Sequence, residues 1–272
     1  MTSDSLILGG IAIGAGQSRL GFLGLRCIGI GAGRCGGLGA DRRRSRRGGT
    51  PLRTRRCVYY RALMAENFEL TAVTFPSHAY ALAERYPELD TIVGRWGLPE
   101  FWCRKPGIDS LVLIILEQQI SIAAARSIYR RLTAELGSLS ARRIHAAGAD
   151  KLRTLGLTSQ KSRYCYELAN AVVERRLSLS RLATMNDQNA TEALIALPGI
   201  GPWSAAIYLM SALGRIDVWP AGDLALRHGV AEILPGVDTE SLADSGDRWQ
   251  PQRAVAARLV WHHYRNRRNK KP

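Results

Sequence analysis

Two glycines and two prolines fall within nine residues, "LPGIGPWSA" at positions 197–205, between two stretches of helical apolar spacing. Pro198 ends the first stretch, Gly199 and Gly201 permit a tight turn, and Pro202 stands where a first helical turn tolerates a missing N–H. This is the chemistry of a hairpin between two helices. Such a turn also points backbone N–H groups outward at a helix N-terminus, a ready place for a phosphate. On spacing alone an ordinary αα-hairpin accounts for it slightly better.

The rest of the chain from Ser77 onward agrees with a helical protein. "SHAYALAERYPELDTIVGRWG" predicts two short helices broken at Pro87. In "GIDSLVLIILEQQISIAAARSIYRRLTAELG", Asp109 is the expected cap of one buried helix and Ser121 of a second. The second places Ile122, Ala125, Ile128, Leu132 and Leu136 on one face and Arg126, Arg130 and Arg131 away from it. A further helix is expected over residues 161–175 with Tyr164, Leu168 and Val172 inward, and Asn189 with Glu192 fits a capping box. Strand signals are short and unpaired. The expected class is all-α, with no internal repeat and no linker after Met64.

Charge separates the chain into two parts. The formal net charge is +15 over 272 residues, which suggests a polyanionic partner. Twelve arginines against Asp4 and Asp41 give residues 1–63 a net +10, leaving 26 basic and 21 acidic residues, a net +5, in the other 209. The folded part is therefore only mildly basic. Fourteen of the 27 glycines also lie in 1–63, where ordering the backbone would be entropically costly. Three readings fit this extension: a disordered basic arm on DNA, an organelle transit peptide, or sequence upstream of a true start at Met64. The last accounts best for the change to globular composition at Met64, so a helical domain is expected over 64–272. The five cysteines (27, 35, 57, 103 and 165) form no C-x-x-C pair and read as free thiols in a reducing compartment. No apolar run is long enough to span a bilayer.

The longer stretch "LPGIGPWSAAIYLMSALGRIDVWPAGDLALR", at 197–227, resembles the helix-hairpin-helix DNA glycosylase superfamily, from the hairpin to an aspartate at 223. "LVLIILEQQISIAAARSIYRRL" is similar to that family's helix pair around a Gln-Gln-Ile/Val-Ser turn. "DRWQPQRAVAARLVWHHY" is similar to its C-terminal helix. The likeness runs from about residue 100 to residue 265 and lies closest to compact 3-methyladenine DNA glycosylases II. It implies a two-lobed helical fold and damaged double-stranded DNA as partner. It also implies a monomer working inside the cell with its DNA, not at a membrane.

The resemblance further implies roles. Residues Pro198, Gly199, Ile200 and Gly201 would hold a DNA phosphate, and carbonyls of Ile195, Leu197 and Ile200 would ligate a Na+ or K+ ion shared with it. Gln118 and Gln119 would approach the minor groove, and Arg253 would meet a phosphate or pair with an acid. A wedge is expected from "WGLPEFWCRKPG", with Leu98 and Phe101 as candidates that could equally be core. No redox or organic cofactor is implied, and no cysteine follows Asp223 to build the iron–sulfur cluster of other members.

Asp223 is the expected catalytic residue. Cleavage of an N-glycosidic bond passes through a sugar with oxocarbenium character, which a nearby carboxylate stabilises. Asp223 also suits the cap of the helix "LALRHGVAEIL", and the two roles are compatible. Asp217 competes but falls too early in the loop. Strand-cutting members carry a lysine where this chain has Trp203, so the amine nucleophile is missing and a monofunctional enzyme is expected. The resemblance implies Trp203 and Trp261 as pocket aromatics, with Tyr208 as a nearby candidate, and an indole face attracts the positive charge of an alkylated purine; plain core packing is the other reading of these rings. The alternatives are excision of deaminated or oxidised bases, and a non-catalytic hairpin module that binds DNA.

Overall fold

The computed structural model describes residues 69–269. The glycine- and arginine-rich stretch 1–63 and its boundary at Met64 lie outside the described residues. All regular structure among the described residues is helical, so the all-α expectation holds. The helices are α1 (Phe75–Arg85), α2 (Pro87–Trp96), α3 (Ile108–Glu117), α4 (Ile122–Leu136), α5 (Ala141–Thr154) and α6 (Ser159–Val173). They continue as α7 (Leu179–Thr184), α8 (Asp187–Ile195), α9 (Pro202–Ala212), α10 (Leu224–Ile233), α11 (Thr239–Ser245) and α12 (Arg253–Asn269). One 3₁₀ turn, Asp247–Trp249, precedes α12.

Local chemistry sets these boundaries. Pro87 begins α2 directly after α1 ends, as its missing N–H requires. Ser121 caps α4 by accepting the Ala124 N–H at 3.2 Å. Two expected caps are corrected. Gly107, not Asp109, precedes α3; Asp109 sits in the first turn, where burial raises its carboxyl above the usual range. Asn186, not Asn189, caps α8, its Oδ1 accepting the Asn189 N–H at 2.8 Å. The α6 helix starts at Ser159 and turns Cys165 and Leu168 into the core while Tyr164 and Val172 stay half-buried.

Two groups of helices carry the core. The first contains α3 to α6, with α3 packed on both α4 and α6, and α5 lying along α6. The second gathers α1, α2 and α10 around α12, with α11 packed on α10. The chain passes between them through α8 and α9, and α9 packs on both α8 and α3. Helix α9 is buried along nearly its whole length from Ser204 to Ala212. The hairpin at its start is therefore fixed to a rigid central element.

Candidate active site

Asp223 ends the loop that leaves α9 and forms the N-cap of α10, where its Oδ1 accepts the Leu226 N–H at 2.9 Å. Capping accounts for one of its bonds. The same Oδ1 accepts the Trp261 indole N–H at 3.0 Å, and Oδ2 accepts the Trp203 indole N–H at 2.9 Å. The carboxylate is only 2% exposed. Three N–H donors replace the water it has lost. A carboxylate offers about four acceptor positions, so the one left open lies on Oδ2, beside Trp203.

The three elements holding this carboxylate come from distant parts of the chain. Trp203 stands in the first turn of α9, directly after the hairpin. Trp261 projects from the middle of α12, whose start is locked by Arg253. That guanidinium donates to Asp217 through Nε at 2.9 Å and Nη2 at 3.2 Å, and reaches the Asp217 carbonyl at 2.9 Å. The Arg253 N–H adds a further bond to Asp217 at 3.2 Å. Of the two expected roles of Arg253, the structure shows the pairing with an acid, and Asp217 is that partner. The pair sets the height of α12 and so the place of Trp261.

Trp203 and Trp261 are both half-buried, packed against the core with their indole N–H groups at the carboxylate. Tyr208 is not with them. It is fully buried in the core, and its hydroxyl accepts the Gly107 N–H at 3.1 Å. Its expected place at a base is not the one it occupies. Trp102, which no local sequence signal marks, lies in its stead against Trp261 with ring centroids 6.1 Å apart. Behind Trp102 the guanidinium of Arg258 stacks on both Trp102 and Phe101, at 4.6 and 4.5 Å, and donates to the Trp102 carbonyl at 2.9 Å. Burial pulls Arg258 down to about 10, still charged at neutral pH. Phe101 also packs on Phe75, and Leu98 is half-buried against the core. Both expected wedge candidates therefore pack against the core while staying partly exposed.

Expected change at Trp203 follows from its bond. Trp203→Phe keeps a ring but removes one of the three donors. A hydrogen bond to a charged group is worth about 1.5–3 kcal/mol, so excision by any activity that uses Asp223 should fall by about tenfold to a hundredfold. Steady-state kinetics on a damaged oligonucleotide test this, and an unchanged kcat would show that the indole N–H does not matter.

The hairpin sits on the other side of Trp203. Gly199 has φ +85°, a left-handed conformation that glycine supplies readily. Gly201 has φ −91° as the N-cap of α9, and a Cβ there would meet nothing within 4 Å. Gly199 alone thus answers to the turn; Gly201 keeps the exposed surface bare for a close approach. Pro198 and Gly201 are exposed, whereas the Leu197 and Ile200 side chains are buried. Ile200 donates its N–H to the Leu197 carbonyl at 3.2 Å. One lone pair of that carbonyl remains for a cation, and Ile195 lies at the exposed end of α8.

Gln118 ties the hairpin to the turn between α3 and α4. Its Nε2 donates to the Gly199 carbonyl at 2.8 Å and to Ser204 Oγ at 3.0 Å. The Nε2 group of Gln118 is thus spent within the protein. Gln119, next to it, is exposed and holds φ +59° without being glycine. Strain of this kind persists only where the surroundings enforce it.

A family model described as "HhH-GPD superfamily base excision DNA repair protein" matches residues 112–242, which include the Gln118 turn, the hairpin and Asp223. A probable bifunctional transcriptional activator/DNA repair enzyme AlkA of Mycobacterium tuberculosis is 28% identical over 189 residues, 64% of this chain and 37% of that one. A putative DNA-3-methyladenine glycosylase of Bacillus subtilis, YfjP, is 29% identical over 166 residues, 56% of this chain and 57% of its own length. The chain thus spans well under two thirds of either relative. Among solved structures, a DNA-3-methyladenine glycosidase of Bacillus halodurans superposes with TM-score 0.62 at 28% identity, over 71% of this chain and 91% of that one. A Schizosaccharomyces pombe 3-methyladenine DNA glycosylase in complex with abasic DNA shares the fold, with TM-score 0.56 at 23% identity over 68% and 93% of the two chains. Residues 112–242 belong to the HhH-GPD superfamily of base excision DNA repair proteins, and the chain is similar to AlkA-type members of it.

Proposed function

We propose that this chain is a monofunctional DNA glycosylase that removes alkylated purines, of the 3-methyladenine and 7-methylguanine type, and leaves an abasic site. The observation that carries this reading is the Asp223 carboxylate, nearly buried yet held by three N–H donors with one acceptor position open on Oδ2. A pure binder of DNA, itself a polyanion, gains nothing from a carboxylate fixed in this way. An enzyme that builds positive charge on a sugar does.

In this reading the damaged nucleotide leaves the stack and its sugar comes to rest against Asp223. As the base departs, the sugar gains oxocarbenium character, and the fixed negative charge beside it lowers the energy of that state more than of the ground state, in which the sugar is uncharged. Water completes the substitution. Trp203 fills the place where strand-cutting relatives keep their lysine, so no Schiff base forms. Alkylation at N3 or N7 makes the base a cation and a good leaving group, and the half-buried Trp203 and Trp261 rings attract it by roughly 1–2 kcal/mol. The amides around Gly199 and Gly201 hold a backbone phosphate, with a monovalent cation at the hairpin carbonyls. Gln119 enters the minor groove to fill the gap. The full set of substrates, the monomeric state and a place with the cell's DNA belong to the same proposal.

A panel of duplexes tests the substrate class. Methylated, hypoxanthine-containing and 8-oxoguanine-containing DNA would be incubated with the full chain under single-turnover conditions. The methylated duplex is expected to lose its damaged base fastest, since a neutral base needs help with protonation that this site does not offer. Faster release of a neutral base would move the enzyme to another substrate class.

A further inference from the structure

The strained backbone of Gln119 needs something to hold it, and the second bond network around it comes from helix α6. Lys161, a half-buried residue in the first turn of α6, donates through Nζ to the carbonyls of Leu116 at 2.7 Å and Gln118 at 2.6 Å. These carbonyls end helix α3, where a cation is favoured by the helix dipole. One helical turn further on, Tyr164 lies beneath Gly199: a Cβ at Gly199 would stand 2.2 Å from the Tyr164 ring. Residues three apart share one helix face. A single face of α6 therefore braces both the turn that carries Gln119 and the hairpin that carries Gly199. Gln118 crosses between the two through its side chain.

Resting on the glycosylase reading above, we infer that Lys161 is a positioning residue for base flipping, acting through its hold on the Gln118 carbonyl. The Gln118 carbonyl belongs to the peptide group that joins Gln118 to Gln119. Fixing that group fixes the φ of Gln119 and aims its side chain. The Tyr164 contact fixes the phosphate anchor on the same helix, so the distance between anchor and inserted residue is set by α6 and not by two independent loops. A lysine confined to capping α3 would contribute stability alone. Lys161 contributes the geometry of insertion.

The test uses the full chain and a duplex with a tetrahydrofuran abasic analogue flanked by 2-aminopurine, whose fluorescence reports disturbance of the stack. Wild type, Lys161→Met, Lys161→Arg and Gln119→Gly would be compared at saturating protein, with affinity read by anisotropy. Lys161→Met is expected to bind within about threefold of wild type, because the hairpin supplies the main phosphate contact. It should lose most of the fluorescence change and fall to the level of Gln119→Gly. Lys161→Arg, which can still donate to both carbonyls, should restore much of it. Excision from duplex DNA should fall by about tenfold to a hundredfold in Lys161→Met, the usual cost of a misplaced reacting group, while excision from single-stranded DNA stays near wild type. Should Lys161→Met not fold, Lys161→Gln, which keeps one donor, is read against the same expectations. A full fluorescence change in the neutral variant overturns the inference. So does a wild type that excises alkylated bases but gives the same signal as Gln119→Gly, since there is then no insertion to position. A wild type that neither binds nor excises overturns the glycosylase reading beneath it.

Discussion

Gly199→Ala should cripple DNA binding by this chain and lower its stability together. The added Cβ would meet the Tyr164 ring at 2.2 Å and the Tyr164 Cβ at 2.8 Å. Tyr164 cannot step aside freely, because Gln160 Nε2 donates to its hydroxyl at 2.7 Å and Arg163 lies over its ring at 5.6 Å. The backbone at φ +85° adds a second cost for any residue with a Cβ. Left-handed backbone costs about 1–2 kcal/mol and overpacking about 1–3 kcal/mol, so a loss of roughly 2–5 kcal/mol is expected. The turn relieves this by moving, and the amides that would face a phosphate move with it. Affinity for an abasic duplex should drop by about tenfold or more, a loss that one or two phosphate contacts account for. Gly94→Ala is the control: it lies inside α2 with nothing within 4 Å of the new Cβ, and helix propensity predicts a gain of up to about 1 kcal/mol. Adding Tyr164→Ala to Gly199→Ala should recover part of the lost stability, the sign of direct contact in a double-mutant cycle. Wild-type melting and binding in Gly199→Ala would mean that the hairpin does not pack on α6.

Much of this fold could be read in the sequence because its signals are local. Pro87, Ser121 and the Pro/Gly pattern at 198–202 act within one helical turn of themselves, and each sits where expected. Asp223 as a cap is legible for the same reason. The caps that were misplaced were also local choices, but between near-equivalent residues. Asn186 and Asn189 both precede an apolar run, and only packing of α8 decides that the earlier one stands outside the helix. What the sequence does not carry is the clamp on Asp223. Its indole donors lie 20 and 38 residues away, and nothing in Trp203 or Trp261 distinguishes a ring meant for stacking from an N–H meant for a carboxylate. The signal available was general: a buried carboxylate needs donors, and a buried indole N–H usually finds a partner. Tyr208 failed for the converse reason. Its position on α9 is close to Trp203 in sequence, but it turns inward to Gly107.

Asp223→Asn tests whether Asp223 is the catalytic carboxylate of a base-releasing enzyme. The two side chains have nearly the same shape, so the cleft and the hairpin should persist. The charge does not. An amide would also set its NH2 against one of the indole donors, Trp203 or Trp261, or the Leu226 N–H, at a stability cost of about 1–3 kcal/mol. Loss of one fixed electrostatic stabiliser typically costs a hundredfold to a thousandfold, and a full charge facing a cationic sugar should lie at or above about a thousandfold. Binding should be kept or tightened, because removing a negative charge beside a phosphate backbone lowers repulsion.

The decisive measurement is the release of free bases, by chromatography, from methylated duplex DNA incubated with wild type and with Asp223→Asn, with affinity measured in parallel. A catalytic Asp223 gives free 3-methyladenine or 7-methylguanine and an intact abasic strand from wild type, and from Asp223→Asn bound DNA with no release. Release by Asp223→Asn at the wild-type rate, or a folded wild type that binds this DNA and releases nothing, would contradict it.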